Sequence, residues 1–378
     1  MAALDGVRVL DLSRVLAGPY CTGLLAELGA DVVKVESPAG DDARHLGPFL
    51  DGESVYFAQL NRGKRSIVLD LKDEGDRETL HRLAEKADVV VENFRPGVAA
   101  RLGIDHEQLS ARNPRLVYAS ISGFGQSGPL SQRPAYDLIV QAMSGLMAAT
   151  GPEGGSPTRV GESLGDVVAG LFAAWSICAA LFERERTGVG QHLDVSMLDS
   201  LVALQVTGMS ILTATGALPG RVGNRHPVST PFDTYRTRDG LVAIAVANDV
   251  VFRRFAALIE RPELADDPDY ATDRARCQRV EAVRTATEAW TSPRTTDEVL
   301  AAAEAAGVPA APIQDLDEAI NSDQLKHRGL VGEFEHPTLG VLPALRQPVS
   351  FAGDRVPVRP SPGLGEHEAD VLSSWLDS

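Results

Sequence analysis

Five short segments rich in β-branched residues recur through the first 121 residues, with helical stretches between most of them, and this alternation limits the fold more than any other feature. Residues 7–12 read Val-Arg-Val-Leu-Asp-Leu, and Ala17-Gly18-Pro19 then opens a helical segment running to Leu28. Further strands are predicted at 30–36, 66–71, 87–92 and 115–121, with one helix over 74–86 and another before Arg115. Strands joined through helices need a crossover at each connection. The expected architecture is therefore α/β, with a mostly parallel, Rossmann-like sheet whose ligands bind at the carboxyl ends of its strands. The order of those strands does not follow from the pattern.

Two long, almost uniformly apolar helices are expected at 166–186 and 195–214, buried in a large core or at a subunit interface. Asp194, Asp199 and Gln205 interrupt the second region, which favours a buried helix over a membrane span. Beyond the turn-rich stretch 216–231, residues 232–247 read as a β-hairpin around Arg238-Asp239-Gly240, and 249–306 as mainly helical. This places a smaller α+β domain at 225–320, and 378 residues suffice for two domains. Glycines and prolines between Gly329 and Pro362 make 321–378 an extended tail, with a closing helix at 366–376.

A formal net charge of −16 sets the chain against general attraction to nucleic acid or to an acidic membrane, so an anionic ligand must be held by local cations. Cys21, Cys178 and Cys277 show no CxxC spacing, and the eight histidines form neither HxH nor HExxH. No disulfide framework and no metal site are expected. The N-terminus lacks a basic region followed by a long apolar segment, and a cytoplasmic location is expected.

Asp166 ends the polar stretch 161–165 and begins the first apolar helix, at its N-cap or first turn, where free backbone N–H groups would hold the carboxylate and keep it ionised. Such a group is a nucleophile or an ordinary helix cap. Gly161-Glu162-Ser163-Leu164-Gly165 matches GxSxG, but turn material rather than a strand leads into Ser163, against a hydrolase elbow. Residues 61–66, Asn-Arg-Gly-Lys-Arg-Ser, form a cationic turn suited to phosphate. Lys72 stands at the far end of the next strand, and Lys34, Arg44, Arg95 and Arg101 at other strand exits. Backbone N–H groups of the loop 123–129 can stabilise an oxyanion, while GxGxxG and GxxxxGK[ST] are absent. Tyr136 can donate to a thioester oxygen or simply pack, and Asp137 is expected to cap the helix it begins.

In their order and spacing, Asp11-Leu12-Ser13, Ala17-Gly18-Pro19, 28–36, 61–66, 92–97, 123–129, Tyr136-Asp137, 141–145, Asp166, 223–227 and 364–367 give the chain a clear resemblance to the class III CoA-transferase (CaiB/BaiF) family, in its transferase branch. The resemblance implies an interlocked homodimer in which each chain passes through the ring of the other. It implies a large CoA-binding and catalytic domain at 1–224, completed by the return segment 321–378, with the small domain at 225–320. Carried over position by position, it makes Asp166 the nucleophile and Tyr136 the active-site tyrosine. Asn93, Phe94 and Arg101 fall where the family contacts CoA, and Leu69 and Lys72 near its nucleotide portion. Leu16 departs from the family, standing where some transferases use glutamine beside the reacting carbonyl.

By the same resemblance no cofactor is tightly bound, and coenzyme A or acyl-CoA is substrate. The implied reaction is reversible transfer of CoA to a free carboxylic acid through aspartyl-acyl anhydride and aspartyl-CoA thioester intermediates. Succinyl-CoA is a reasonable donor and a small mono- or dicarboxylate a reasonable acceptor, with Arg14, Arg44 and Arg225 as candidates for a distal carboxylate. The alternative is racemisation or epimerisation of a 2-methylacyl-CoA by α-proton transfer. That pattern has a histidine where this chain has Tyr136, and a neutral tyrosine is a poor base near neutral pH.

Overall fold

The computed structural model describes residues 2–351 and 356–377. The chain forms two compact units, one of Met1–Met147, Arg159–Val206 and Asp323–Ser378, the other of Ala148–Thr158 and Thr207–Ser322. The first is built on six parallel strands, β1 (Arg8–Asp11), β2 (Asp31–Glu36), β3 (Arg65–Val68), β4 (Val89–Glu92), β5 (Val117–Ser122) and β6 (His192–Ser196). Their spatial order is β3-β2-β1-β4-β5-β6. Because the order reverses between β1 and β4, the loops leaving their carboxyl ends diverge and open a crevice there.

Valine runs suit these strands because both faces of the sheet are covered. On one face, Val9, Val89 and Val117 meet α1 (Ala17–Glu27) and α5 (Leu164–Thr187), which contribute Leu25, Ala169, Ala173 and Ile177. On the other, Leu10, Val33 and Val90 meet Leu80 and Leu83 of α2 (Glu74–Lys86) and Val371 and Trp375 of α6 (Glu368–Leu376). Asp73 starts α2 by accepting from the backbone N–H groups of Gly75 and Asp76, which is why that boundary is sharp in the sequence. Two shorter helices, α3 (Val98–Leu102) and α4 (Asp137–Met143), follow β4 and β5.

The helix expected over 195–214 is replaced by β6 and two helices, Met197–Ala203 and Val206–Thr215, with a bend in the chain between them. Asp194, Val195 and Ser196 extend the parallel ladder beside Ser120, Ile121 and Ser122, and the Ser196 hydroxyl then accepts from the N–H of Asp199. At the bend, Gln205 donates from Nε2 to the carbonyl of Ser144 at 2.7 Å. α5 has the length and composition to cross a membrane, yet Val168, Ala169, Ala173 and Ile177 are buried in the sheet's core.

The second unit carries an antiparallel sheet of β7 (Phe232–Arg236), β8 (Leu241–Ala245) and β9 (Ala310–Pro312), with helices closing a core around Phe252, Phe255, Trp290 and Val299. In the first unit, the tail expected to be extended instead forms a hairpin, β10 (Val331–His336) with β11 (Gly340–Leu345). Alternation sets Phe334, Leu342 and Ala344 on one face against Ala58, and the intervening prolines conceal that period in the sequence.

Candidate active site

Asp166 is the third residue of α5, after Ser163 at the N-cap. No hydrogen bond to its carboxylate occurs among the described residues, and the expectation that backbone N–H groups keep it ionised is overturned. Asp137, on the first turn of α4, takes the nearest one: Gly165 N–H donates to Asp137 Oδ1 at 2.8 Å. Burial and the negative charge of Asp137 push the Asp166 carboxyl up to about 7. Asp137 therefore caps the neighbouring helix rather than its own, whose N-cap is Tyr136. The helices come this close because Gly165 has no side chain. A Cβ there would lie 2.6 Å from Val140 Cγ2 and 3.2 Å from Asp137 Oδ1. One turn on, Gly170 lies against α1, where a Cβ would meet the carbonyl of Ala17 at 2.6 Å.

Tyr136 is 75% exposed. Ser163 is led into by a loop, without the strand a hydrolase elbow requires. Tyr56, on the helix Val55–Leu60, has no signal in the sequence: its phenol is pushed up to about 12 by burial and by the negative charges of Asp166, Glu162 and Asp41. Nothing near Tyr56 in sequence signals that proximity.

A cavity of about 250 Å³ opens at the carboxyl ends of β1, β2 and β3. Leu69, Lys72 and Phe94 line it, together with Leu12, Ser13 and Arg14. Lys72 is exposed at the mouth, while Leu69 is 5% exposed. Arg101 is exposed on α3 beside Leu102, another wall residue. Asn93 precedes Phe94, but its amide is engaged: Oδ1 accepts from Arg14 N at 2.8 Å and Nδ2 donates to Arg14 O at 2.7 Å. The five predicted CoA-contacting positions thus fall on or next to one cavity, whereas Asp166 and Tyr136 do not line it.

Ser13 of that wall, and Val15 beyond it, are held by polar contacts from buried side chains. Val15 adopts φ 67°, a left-handed conformation costly for a β-branched residue, and Asp41 Oδ1 accepts its N–H at 3.0 Å. Lys34 donates to Ser13 O at 2.9 Å and pairs with Asp41 at 2.7 Å, fully buried. Glu92, also buried, accepts from Phe94 N at 2.7 Å, and burial pushes its carboxyl up to about 7.

Several predicted anion sites are already occupied by the chain's own carboxylates. In the turn 61–66, Arg62 pairs with Glu27, Arg65 with Asp31 and Asp370, and Lys64 with Asp11, which overturns its reading as a phosphate site. Arg44 chelates Glu36 through Nε and a terminal nitrogen, each at 2.7 Å, and is spent as a candidate for substrate carboxylate. In the loop 123–129, the N–H of Gln126 donates to both oxygens of Asp194 at 3.0 Å, filling the expected oxyanion position. Arg14 pairs with Asp42 at 3.3 Å but remains half exposed, over the ring of Phe94. Arg225 belongs to the second unit. No cluster of metal-ligating side chains is found among the described residues.

The family model for CoA-transferase family III matches residues 4–368. The chain is 47% identical over 329 residues to acetyl-CoA:oxalate CoA-transferase of Acetobacter aceti, covering 86% of this chain and 85% of that protein. It is 41% identical over 381 residues to succinate–glutarate CoA-transferase of Agrobacterium fabrum, covering 98% and 95%. A crystal structure of a CaiB/BaiF family protein from Brucella suis superposes with a TM-score of 0.86 at 38% identity, covering 99% of both chains.

Proposed function

We propose, on the premise that this chain belongs to the class III CoA-transferase family and is an enzyme of that class, that Asp166 carries its CoA transfer as a covalent nucleophile, with succinyl-CoA as donor and a small dicarboxylic acid as acceptor. What supports this is the place of Asp166 on the first turn of α5, where Asp137 takes the N–H of Gly165 and, with burial, pushes the Asp166 carboxyl up to about 7. A carboxylate of that basicity is a stronger nucleophile than a solvated one, and it is ionised in a useful fraction near neutral pH. The acceptor class rests on relatives named for oxalate and glutarate, both dicarboxylates.

The steps follow from one carboxyl group acting first as nucleophile, through an oxygen, and then as electrophile, through Cγ. A carboxylate oxygen of Asp166 attacks the thioester carbonyl, the C–S bond breaks, and CoA leaves as thiolate. The thiolate attacks Cγ of Asp166 in the resulting anhydride and expels the donor acid, leaving an aspartyl-CoA thioester. The acceptor carboxylate attacks that Cγ and releases the thiolate, which then takes the new acyl group and restores Asp166. Each stage conserves an activated acyl bond, so exclusion of water is essential. Tyr136 donates to the thioester oxygen, and Leu16 leaves the family's glutamine role to another donor. The phenol of Tyr56, near enough to feel the charge of Asp166, is a suitable group.

CoA occupies the cavity lined by Leu69, Lys72 and Phe94, with its phosphates met by Lys72 and Arg101. A screen of acyl-CoA donors against free dicarboxylates, read by mass of the CoA products, is expected to give a new acyl-CoA only when both substrates are present. Lys72→Gln is expected to raise the KM for acyl-CoA several-fold without a matching loss of kcat. Exchange of the α-proton with a 2-methylacyl-CoA alone, and no transfer, would refute this in favour of racemisation.

We also infer an interlocked homodimer. On α5, Leu171, Trp175 and Phe182 are 54%, 65% and 68% exposed, a row of large apolar groups facing away from the sheet. A second copy is the partner that removes them from water. Light scattering is expected to give twice the chain mass at dilute concentration, and a stable active monomer is the result that would sink it.

A further inference from the structure

The loop entering α5 has no strand partner, so something other than a backbone ladder must fix where Asp166 projects. Two side chains one helical turn apart on α4 do so. Gln141 is 0% exposed, and its Oε1 accepts from Val160 N at 2.9 Å. Its Nε2 donates to the carbonyl of Glu162 at 3.2 Å and to Asp137 Oδ2 at 2.8 Å. The other oxygen of Asp137 accepts from Gly165 N at 2.8 Å. Two backbone groups of the loop and one of the first turn of α5 are thus tied to the Asp137–Gln141 pair, and Gly165 immediately precedes Asp166.

We propose that Gln141 is a positioning residue for the nucleophile, holding the loop 160–165 in register and turning the carboxylate of Asp137 toward the start of α5, so that Gln141 acts on Asp166 through Asp137. This rests on the reading of Asp166 as nucleophile. Gln141 is too deeply buried to touch substrate, and a glutamine is suited to the task because one amide supplies an acceptor for Val160 and donors for Glu162 and Asp137 at once. A buried apolar side chain of the same volume fills the space but takes away the acceptor of Val160 N–H and leaves Glu162 C=O with only its bond from Leu164 N–H, at 2.9 Å.

The charge of Asp137, on α4, acts on Asp166, and the charges of Asp166 and of Glu162, on the loop before it, act on Tyr56 of the helix Val55–Leu60. Arg159 lies 3.7 Å from Asp137 on its outer side. Tyr20, Tyr118, His192, Asp194 and Asp199 stand on the other elements packed against α5. If Gln141 lets Asp137 turn away, the repulsion on Asp166 weakens and its carboxyl ionises at lower pH.

Rapid-quench measurement of acyl-enzyme formation across pH 5–9 tests this in Gln141→Leu, Asp137→Asn and the double variant, with CoA affinity measured alongside. Gln141→Leu is expected to slow acylation by about 10- to 100-fold, as a small misplacement of a reacting group does. Its acidic limb should move to lower pH while CoA affinity stays unchanged. Asp137→Asn should move the limb further, and the double variant no further than Asp137→Asn alone. Gln141→Glu, which keeps an acceptor for Val160 and adds charge beside Asp137, should move the limb the other way. An acidic limb in Gln141→Leu that coincides with wild type overturns the proposal, as does an additive shift in the double variant. Acylation that survives in Asp166→Asn would instead overturn the nucleophile reading beneath it.

Discussion

Asp166→Asn is expected to lower turnover by about 10³-fold or more while leaving CoA affinity nearly unchanged. The amide has almost the same shape, and the cavity beside Lys72 does not include position 166. What is lost is an oxygen able to attack a thioester and then leave from an anhydride. Peptide mass analysis after quenching with acyl-CoA should place a hydroxylamine-sensitive adduct on the Asp166 peptide of wild type and none on the variant. Equal labelling of both would remove Asp166 from the chemistry. Stability should move the opposite way. The folded carboxyl titrates near 7, above its ordinary value, so its contribution is fully present below the ordinary pKa and is lost as pH rises through about 7. Asparagine carries no such loss. The variant should therefore gain thermal stability relative to wild type above pH 7 and show no gain below pH 4. That opposition separates a nucleophile held in an unfavourable environment from an ordinary helix cap, whose removal would destabilise.

The sheet was largely legible because its information is local. Runs such as Val89 to Val91 are apolar on both faces, and Asp73 marks the start of α2 by its own side chain. β6 was not legible: its five residues, His192 to Ser196, join the ladder only because Tyr118 to Ser122 stand beside them, and their apolar continuation reads as helix. The strand order was equally hidden, since it depends on which crossovers pass which edge. For the site, the sequence marks Asp166 but misjudges its charge state, because the N–H group that would have held it is taken by Asp137 from another helix. Nothing local announces what surrounds Tyr56 and Gln141, because the charge of Asp166 on the one and the loop groups bound by the other come from segments distant in sequence. The basic turn at 61–66 misleads for the same reason, its cations being neutralised by Glu27, Asp31 and Asp11.

Lys64→Met is expected to destabilise the protein by about 3–5 kcal/mol, the usual cost of removing one partner from a buried ion pair. Lys64 and Asp11 are paired at 2.9 Å with both side chains 0% exposed, and Lys64 also donates to Pro19 O at 3.0 Å and Asn61 Oδ1 at 2.8 Å. Burial pushes the Lys64 amine down to about 8, and Asp11 only partly offsets it. Burial alone would raise Asp11, yet Lys64, Lys34 and the hydroxyls of Ser13 and Thr22 hold its carboxyl well below the ordinary carboxylate range. Stability from Asp11 is present above its ordinary pKa and is lost as pH falls through the depressed one. In Lys64→Met that depression shrinks, so the loss measured by denaturant unfolding should be greatest at neutral pH and diminish on acidification. Lys64→Met with Asp11→Asn should recover part of it, because no uncompensated charge is left buried. Unchanged unfolding midpoints in the single variant would sink the argument. Function should follow stability here: Asp11 Oδ1 accepts from Ser13 N at 3.0 Å, and Ser13 is a wall of the cavity beside Phe94. A surviving folded fraction of Lys64→Met is therefore expected to bind CoA more weakly than wild type, although the lysine itself is sealed from that cavity and never meets the ligand.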